Sequence, residues 1–413
     1  MKTFLCCSSF TRVSGTMKLV SAAQCRELNL EAFKSQRSRI PRVAIYTGPG
    51  SSHSWIWLVE ALERMAFYDI RFVDETWVGA EVPANTLFVP GGDTFRLAES
   101  IGPSRLEGLA RWIADGGKYV GICAGAYLPL RSSHPPLDSF NLVKSRIRNL
   151  SRNLPNAITM EEKFSVPYGC SYVFHPVRGP LVVDFRGLPL TAPLYGGPSW
   201  EDHGDAECLA TYSSFTDDTL FLAEESVARD TMMGRPAALR KESGKGVLYL
   251  FGPHFEHPDY LVSNGVIGSV LTNPQDGPFV DATFREEDCG TPDAARLKKL
   301  KGIISNARVM YRGLEGASWR IGQKTWDHEK IGYFINAIWE RILRTEATDM
   351  ELSLSHGVEE GFSRCVSRMR DIRSAMRDGI DTTREADYLF RDLAETSSAF
   401  LDRYFSALRA TVS

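Results

Sequence analysis

Two kinds of hydrophobic pattern divide the chain. Between about residues 41 and 275, short apolar runs alternate with longer amphipathic stretches. Arg42–Thr47, Asp69–Asp74, Thr86–Pro90 and Lys118–Cys123 read as strands. Between them, Ser54–Met65 places Trp55, Leu58, Val59 and Leu62 at helical spacing, and Ser104–Ala114 does the same with Leu106, Leu109 and Ile113. This alternation predicts βαβ units around a parallel sheet buried on both faces. Further along, Cys208–Ser213 reads as a strand, and the runs Pro236–Arg240 and Gly246–Phe251 flank a Gly-containing turn as in a hairpin. A helix over about Asp259–Leu271 follows, whereas residues 131–206 are rich in Pro, Gly, Ser and Asn and show no regular period.

From about residue 285 the pattern turns helical. Ile331, Phe334, Ile335, Ile338, Trp339 and Ile342 recur at spacings of three and four. So do Phe362, Val366, Met369, Ile372 and Met376, and then Leu389, Leu393, Ser397, Phe400, Tyr404 and Leu408. Thr291-Pro292 has the form of an N-cap with proline at the first helical position, and Thr382 and Glu385 have capping-box spacing. Such helices form a bundle, or a layer against the first domain, with Arg364, Arg368, Arg373 and Arg377 on a solvated face. The expected organisation is a disordered or targeting-like tail (1–40), an α/β domain (41–275) and an α-helical region (285–413). The tail carries Lys2, Arg12, Lys18 and Arg26 with no acid before Glu27, lacks the apolar stretch of a secretory signal, and offers Met17 as an alternative start.

Composition narrows the function classes. The 48 Lys+Arg against 51 Asp+Glu give a net charge of −3, so no strong field favours nucleic acid or an anionic membrane. No apolar run approaches the ~18 residues that span a bilayer. Eight cysteines, at 6, 7, 25, 123, 170, 208, 289 and 365, lack paired spacing, which argues for reduced thiols and a cytoplasmic location.

Cys123 stands apart from the other seven. It ends a buried strand, and Gly121 and Gly125 flank it symmetrically, the pattern of a nucleophile elbow at the carboxyl edge of a sheet. An elbow needs a base and an orienting group. His254-Phe255-Glu256, after another apolar strand, supplies both, with His257 as the competing imidazole. The turn Pro90-Gly91-Gly92-Asp93 brings backbone N–H groups that, with the N–H of Ala124, make a candidate oxyanion hole.

These motifs together resemble the class I glutamine amidotransferase-like superfamily. The resemblance implies a flavodoxin-like doubly wound, mainly parallel sheet and a Cys-His-Glu triad. By motif match the triad falls on Cys123, His254 and Glu256, and the oxyanion site on Gly91, Gly92 and Ala124. Within the superfamily the chain is most similar to the amino-terminal domain of eukaryotic biotin–protein ligases and its stand-alone relatives. Thr47–Ser51, Pro90–Asp93, Gly117–Tyr127, Tyr195-Gly196-Gly197 and Gly246–His254 carry that similarity. Two departures limit it. Glutamine-hydrolysing members place glutamine four residues after the nucleophile, where this chain has Tyr127. No Gly-Arg-Gly-Arg biotinyl-adenylate loop is present, so biotin ligation is not expected.

Other motifs are weaker. Gly48–Ser52 lacks the residues of a P-loop or dinucleotide fingerprint and reads as a pocket-lining loop. Tyr195 and Gly197 are candidate ligand contacts by resemblance. Glu201-Asp202-His203 lacks metal-ligand spacing, so no metal and no cofactor are assigned. Two functions remain open: a thiol-dependent amidase-like or transferase-like enzyme acting on a small molecule, and a non-catalytic ligand-binding or regulatory module. In the second, the C-terminal helices dock a protein partner or a second copy.

Overall fold

The computed structural model describes residues 19–34, 41–77, 82, 84–148, 169, 176–273, 276 and 293–412. The expected β-branched and aromatic runs form β1 (Val43–Tyr46), β2 (Ile70–Val73), β3 (Thr86–Val89) and β4 (Lys118–Ile122). Together with β10 (Gly246–Phe251) they pair in parallel in the order β2-β1-β3-β4-β10. Numbered by order within the parallel set, this is 2-1-3-4-5, the flavodoxin-like doubly wound arrangement, whose ligands bind beyond the carboxyl ends of the strands. Both faces are covered. Val43 and Ile45 join one core cluster while Ala44 and Tyr46 join the other.

The sheet continues beyond β10 with antiparallel strands: β9 (Pro236–Ser243), β7 (Glu207–Phe215), β5 (Val177–Phe185) and β6 (Leu188–Leu194), with β8 (Leu220–Phe221) on β5. The β9–β10 hairpin forms as expected. The β5–β6 hairpin lies inside the stretch that showed no period. Its inward residues do alternate: Leu181, Val183 and Phe185 on one strand, Leu190, Ala192 and Leu194 on the other, all buried. Pro180, Pro189 and Pro193 obscure that alternation. The two-residue loop Arg186-Gly187 takes φ of 54° and 87°, a conformation arginine rarely signals.

One face carries α3 (Thr94–Ile101) and α4 (Pro103–Ala114), whose Leu97, Ile101, Leu106, Leu109 and Ile113 are buried against the sheet. The other carries α2 (Ser54–Arg64), α6 (Glu225–Met232) and α7 (Leu261–Leu271), and there the N-terminal expectation is corrected. Part of the supposed tail forms α1 (Ala22–Lys34), with Cys25 fully buried and Asn29 donating to the Met65 carbonyl at 2.8 Å. It can dock because α7 presents glycines. A Cβ at Gly265 would lie 2.6 Å from the Val20 carbonyl oxygen, and one at Gly268 2.5 Å from Cys25 Sγ. Residues 1–18, including Met17, lie outside the described residues.

The C-terminal helices are α8 (Ala294–Arg312), α9 (His328–Ala347), α10 (His356–Arg377) and α11 (Thr383–Val412). Their stripes share the core cluster of the α2 face, so this region is a third layer on the α/β sheet. Arg364 and Arg368 on α10 face Asp392 on α11. Thr291 and Pro292 lie outside the described residues, and the cap of α8 is Asp293, which accepts from Arg296 N at 3.0 Å. The Thr382 hydroxyl accepts the Trp319 indole N–H at 2.8 Å, and Asp381 accepts from Thr383 N at the start of α11. The region is not helical throughout. β11 (Ser318–Ile321) and β12 (Lys324–Asp327) form an antiparallel hairpin between α8 and α9. No helix among the described residues is long and apolar enough to cross a membrane.

One buried ionic cluster ties this layer to the sheet. Glu63 on α2 accepts from Arg341 at 2.6 Å and Tyr404 at 2.7 Å, and also from Arg344. Burial pushes the Glu63 carboxyl up, but the two guanidiniums outweigh it and hold it below its ordinary value. Removing the carboxylate leaves Arg341 buried without its partner. Glu63→Ala is therefore expected to cost about 3 kcal/mol, read as a lower urea midpoint. The depressed carboxyl adds stability that is present above its unfolded pKa and lost as pH falls through the folded one. A loss below about 0.5 kcal/mol would show that the layers do not depend on this cluster.

Candidate active site

β4 delivers Cys123 to the carboxyl edge of the parallel sheet, immediately before the single turn α5 (Ala124–Tyr127). The strain of the elbow sits on the cysteine itself, at φ 52° and ψ −105°. The flanking glycines are needed for close approach rather than for unusual dihedrals. A Cβ at Gly121 would lie 2.3 Å from the Gly125 carbonyl oxygen, and one at Gly125 would lie 2.0 Å from that of Val89. Backbone bonds hold the distortion, with Cys123 N donating to Phe251 O at 2.9 Å and Gly125 N to Pro90 O at 3.2 Å. A one-turn helix supplies little dipole, so charge on the sulfur depends on its side-chain neighbours.

β10 delivers those neighbours. After Phe251 the chain turns, His254 N donates to Pro193 O at 2.8 Å, and His254 Nδ1 meets Glu256 Oε1 at 2.6 Å. That bond takes one ring nitrogen, and the imidazole lies close enough to Cys123 for its charge to act on the thiol. Cys123, His254 and Glu256 are 4%, 3% and 0% exposed. Burial pushes the Cys123 thiol up, yet the hydrogen bond and charge of His254, with the charge of Lys324, outweigh it and hold the thiol below its ordinary value. Burial also works against charge on His254, but Glu256 and Cys123 hold the imidazole protonated well above its ordinary range. The other three described cysteines behave oppositely: burial pushes Cys25, Cys208 and Cys365 up. His257, the rival imidazole, is pushed down to about 4 by burial and by His254, and its Nδ1 accepts from Asp259 N.

Beside His254 lies a narrow cleft. Of the residues named from sequence, Gly91, Tyr195 and His254 line it. A Cβ at Gly91 would lie 3.0 Å from His254 Cε1 and 3.5 Å from Cys123 Cβ, so this position keeps the imidazole in place only as glycine. Neither the Gly91 nor the Gly92 N–H donates to a protein acceptor among the described residues, and Ala124 N–H, first in α5, has no intrahelical acceptor. Gly92 packs against the Gly48–Ser52 loop, where a Cβ would lie 1.9 Å from Gly50 O. Ser52 from that loop lines the cleft, as its position after β1 suggested. Gly197 packs on Gly252, where a Cβ would lie 1.9 Å from the carbonyl oxygen, and the Tyr127 hydroxyl donates to Gly196 O at 3.0 Å. Tyr127 thus braces the loop that presents Tyr195.

Sequence reasoning missed most of the lining. His53, Ser54 and Trp57 come from α2 and its lead-in, and Lys324, Thr325, Trp326 and Lys330 come from β12 and α9. Trp57 packs edge-on to His254, with ring centroids 5.5 Å apart, and lies 5.5 Å from Tyr333 of α9. The hairpin had a legible signal in Gly322-Gln323 between two short runs, but the helical stripes around it dominated the period. Among the described residues no group of three His, Cys, Asp or Glu side chains is placed to hold a metal ion.

With this geometry in view, the chain can be compared with known proteins. Residues 41–134 match the family model described as biotin-protein ligase, N terminal. The matched segment holds β1 to β4 and Cys123, while His254, Glu256 and the hairpin lie beyond it. No curated protein matches the chain. A solved structure described as a glutamine amidotransferase is 14% identical, over 56% of this chain and 97% of that one, with a TM-score of 0.37. The exo-beta-1,4-mannosidase Op5Man5 from Opitutaceae bacterium strain TAV5 is 14% identical over 57% of this chain and 36% of that one, TM-score 0.30. A beta-galactosidase from Bacillus circulans sp. alkalophilus is 13% identical over 62% and 33%, TM-score 0.29. Likeness at this level carries no functional argument, so function is argued from the site.

A thiol lowered by an imidazolium titrates below the free-cysteine value. Iodoacetamide labelling of Cys123 is expected to rise through a pKa below about 8.5. In Glu256→Gln the imidazolium loses its carboxylate, the thiol moves up, and labelling at pH 7 falls about tenfold for each unit of that rise. Labelling that titrates near 8.5 in both proteins would show that His254 does not activate the sulfur.

Proposed function

We propose that this protein is a cysteine-nucleophile enzyme of amidase or amide-transferase type, acting on a small molecule. The observation that carries this reading is the 2.6 Å bond from the buried Glu256 to His254, whose charge acts on Cys123 at the strained end of β4, beside a narrow cleft.

Each residue has a chemical task. The Cys123 thiolate attacks the substrate carbonyl carbon, and the C=O pair moves onto oxygen. Backbone N–H groups at Gly91, Gly92 and Ala124 receive the oxyanion, to which a preorganised donor contributes about 3 kcal/mol. As the tetrahedral adduct collapses, the C–N bond breaks and His254 gives its proton to the leaving nitrogen, producing an acyl-thioester and a free amine or ammonia. His254, then neutral, takes a proton from water or another nucleophile, which attacks the thioester and returns the thiol. Glu256 fixes the tautomer and supports the imidazolium in both steps. Tyr127 stands where the resembling glutamine hydrolases carry glutamine, and its hydroxyl is committed to Gly196 O. Glutamine is therefore not assigned as the substrate, and biotin ligation is not part of the proposal.

A panel of small amides and esters, assayed for released ammonia, amine or alcohol, tests this reading. At least one compound is expected to leave an acyl group on Cys123, seen as a mass increase that hydroxylamine removes and Cys123→Ser abolishes. With that compound His254→Asn should lower kcat by about 10²–10⁴-fold. Stoichiometric binding of panel members without acylation or turnover, unaffected by Cys123→Ala, would replace the enzyme with a binding module.

A further inference from the structure

The cleft is completed by the C-terminal region, and what that region brings is positive charge. β12 and the start of α9 place Lys324 and Lys330 in the lining beside Gly91 and His254. The hairpin tip is fastened to the loop that carries Gly91. Gln323 N donates to Asp93 Oδ2 at 2.9 Å, while Asp93 Oδ1 caps α3 through Phe95 N and Arg96 N. Gly322, at φ 58°, passes so close that a Cβ would lie 2.8 Å from Asp93 Oδ2. Thr325 N donates to Gly169 O at 2.8 Å on the far side. Lys324 lies between these two anchors, so its approach to the cleft is fixed by backbone bonds on either side.

The two lysines differ. Lys330 is buried and paired with Asp327 at 2.5 Å. Lys324 is half-buried and has no carboxylate within 4.0 Å among the described residues, although its charge reaches Cys123 and His53. The remaining lining is aromatic or hydroxyl-bearing: His53, Trp57, Tyr195 and Trp326, with Ser52, Ser54 and Thr325. Charge counting then points to the ligand. In the resting site Glu256 is bonded to His254, and Lys330 to Asp327. When the thiolate attacks, its charge passes to the oxyanion at Gly91, Gly92 and Ala124, and Lys324 lines the cleft with no carboxylate within 4.0 Å among the described residues.

We propose that Lys324 is the anion-binding group of this site and that the substrate carries a carboxylate near the carbonyl attacked by Cys123. This rests on the nucleophile reading above and adds the substrate class to it. A substrate carboxylate here supplies the counter-charge that Lys324 lacks among the described residues, and the aromatic walls receive the rest of a small molecule.

Two alkylating agents of similar size, one anionic and one neutral, test the assignment. Iodoacetate and iodoacetamide both consume the same Cys123 thiolate, so the ratio of their rates cancels any change in thiolate fraction. In the wild-type protein that ratio is expected to exceed the ratio for a free-cysteine peptide. It should fall about five- to tenfold in Lys324→Gln and further in Lys324→Glu, with circular dichroism confirming that both variants are folded. Fast labelling of Cys123 with the same ratio in all three proteins would remove Lys324 from substrate recognition and leave the nucleophile standing. Cys123 labelled no faster than the peptide by either reagent would overturn the nucleophile reading. The lysine is then read by melting temperature with glutarate against glutaramide at matched ionic strength. Stabilisation by glutarate in the wild type but not in Lys324→Gln supports the anion site, and equal behaviour of the two proteins overturns it.

Discussion

A carboxylate with no solvent exposure needs a cation, and at the heart of this structure that cation is His254. Glu256 meets Nδ1 at 2.6 Å, and its second oxygen has no protein partner among the described residues. Compensation for burying the charge therefore concentrates on one imidazole. The same bond selects the ring nitrogen that faces Cys123, keeps the ring charged, and makes a thiolate tolerable in a buried setting. Remove that bond and the thiol becomes one more buried cysteine, like Cys25 or Cys365, whose burial pushes them up.

The fold exists around this pair in a specific sense. A parallel sheet in the 2-1-3-4-5 order brings the ends of β3, β4 and β10 side by side, and each contributes one part: Gly91, Cys123 and His254. Side-chain-free positions let this edge close up: a Cβ at Gly125 would collide with Val89 at the end of β3, one at Gly121 with Gly125 in the turn, and one at Gly91 would crowd His254 and Ser54. The C-terminal layer then closes the open side. Glu63 with Arg341, Arg344 and Tyr404 holds its helices to α2, and Asp93 holds its hairpin to the Gly91 loop. The site is thus shared between the α/β sheet and a region that the sequence presented as a separate addition.

Much of this was legible in the residues. The parallel strands announced themselves through apolar runs, and Cys123, His254 and Glu256 through the strand ends they follow. What stayed hidden has physical causes. Prolines 180, 189 and 193 masked the alternation of β5 and β6, and an arginine at positive φ masked their turn. α1 offered only a weak amphipathic period, and the glycines of α7 that receive it lie far away in sequence. Lys324 was invisible for another reason. A lysine after a glycine turn is ordinary, and only the tertiary bond from Gln323 to Asp93 carries it to the cleft. Elements defined by local period can be read from sequence, whereas residues placed by a distant anchor cannot.

The charge on His254 is where the account can be tested most directly. Nitrogen-15 chemical shifts of its ring distinguish the imidazolium, with both nitrogens protonated, from either neutral tautomer. The account predicts an imidazolium at pH 8, well above the ordinary histidine pKa of about 6.5, and its loss in Glu256→Gln. A ring that is neutral at pH 8 in the wild-type protein, or that titrates near 6.5 whether or not Glu256 is present, would contradict it.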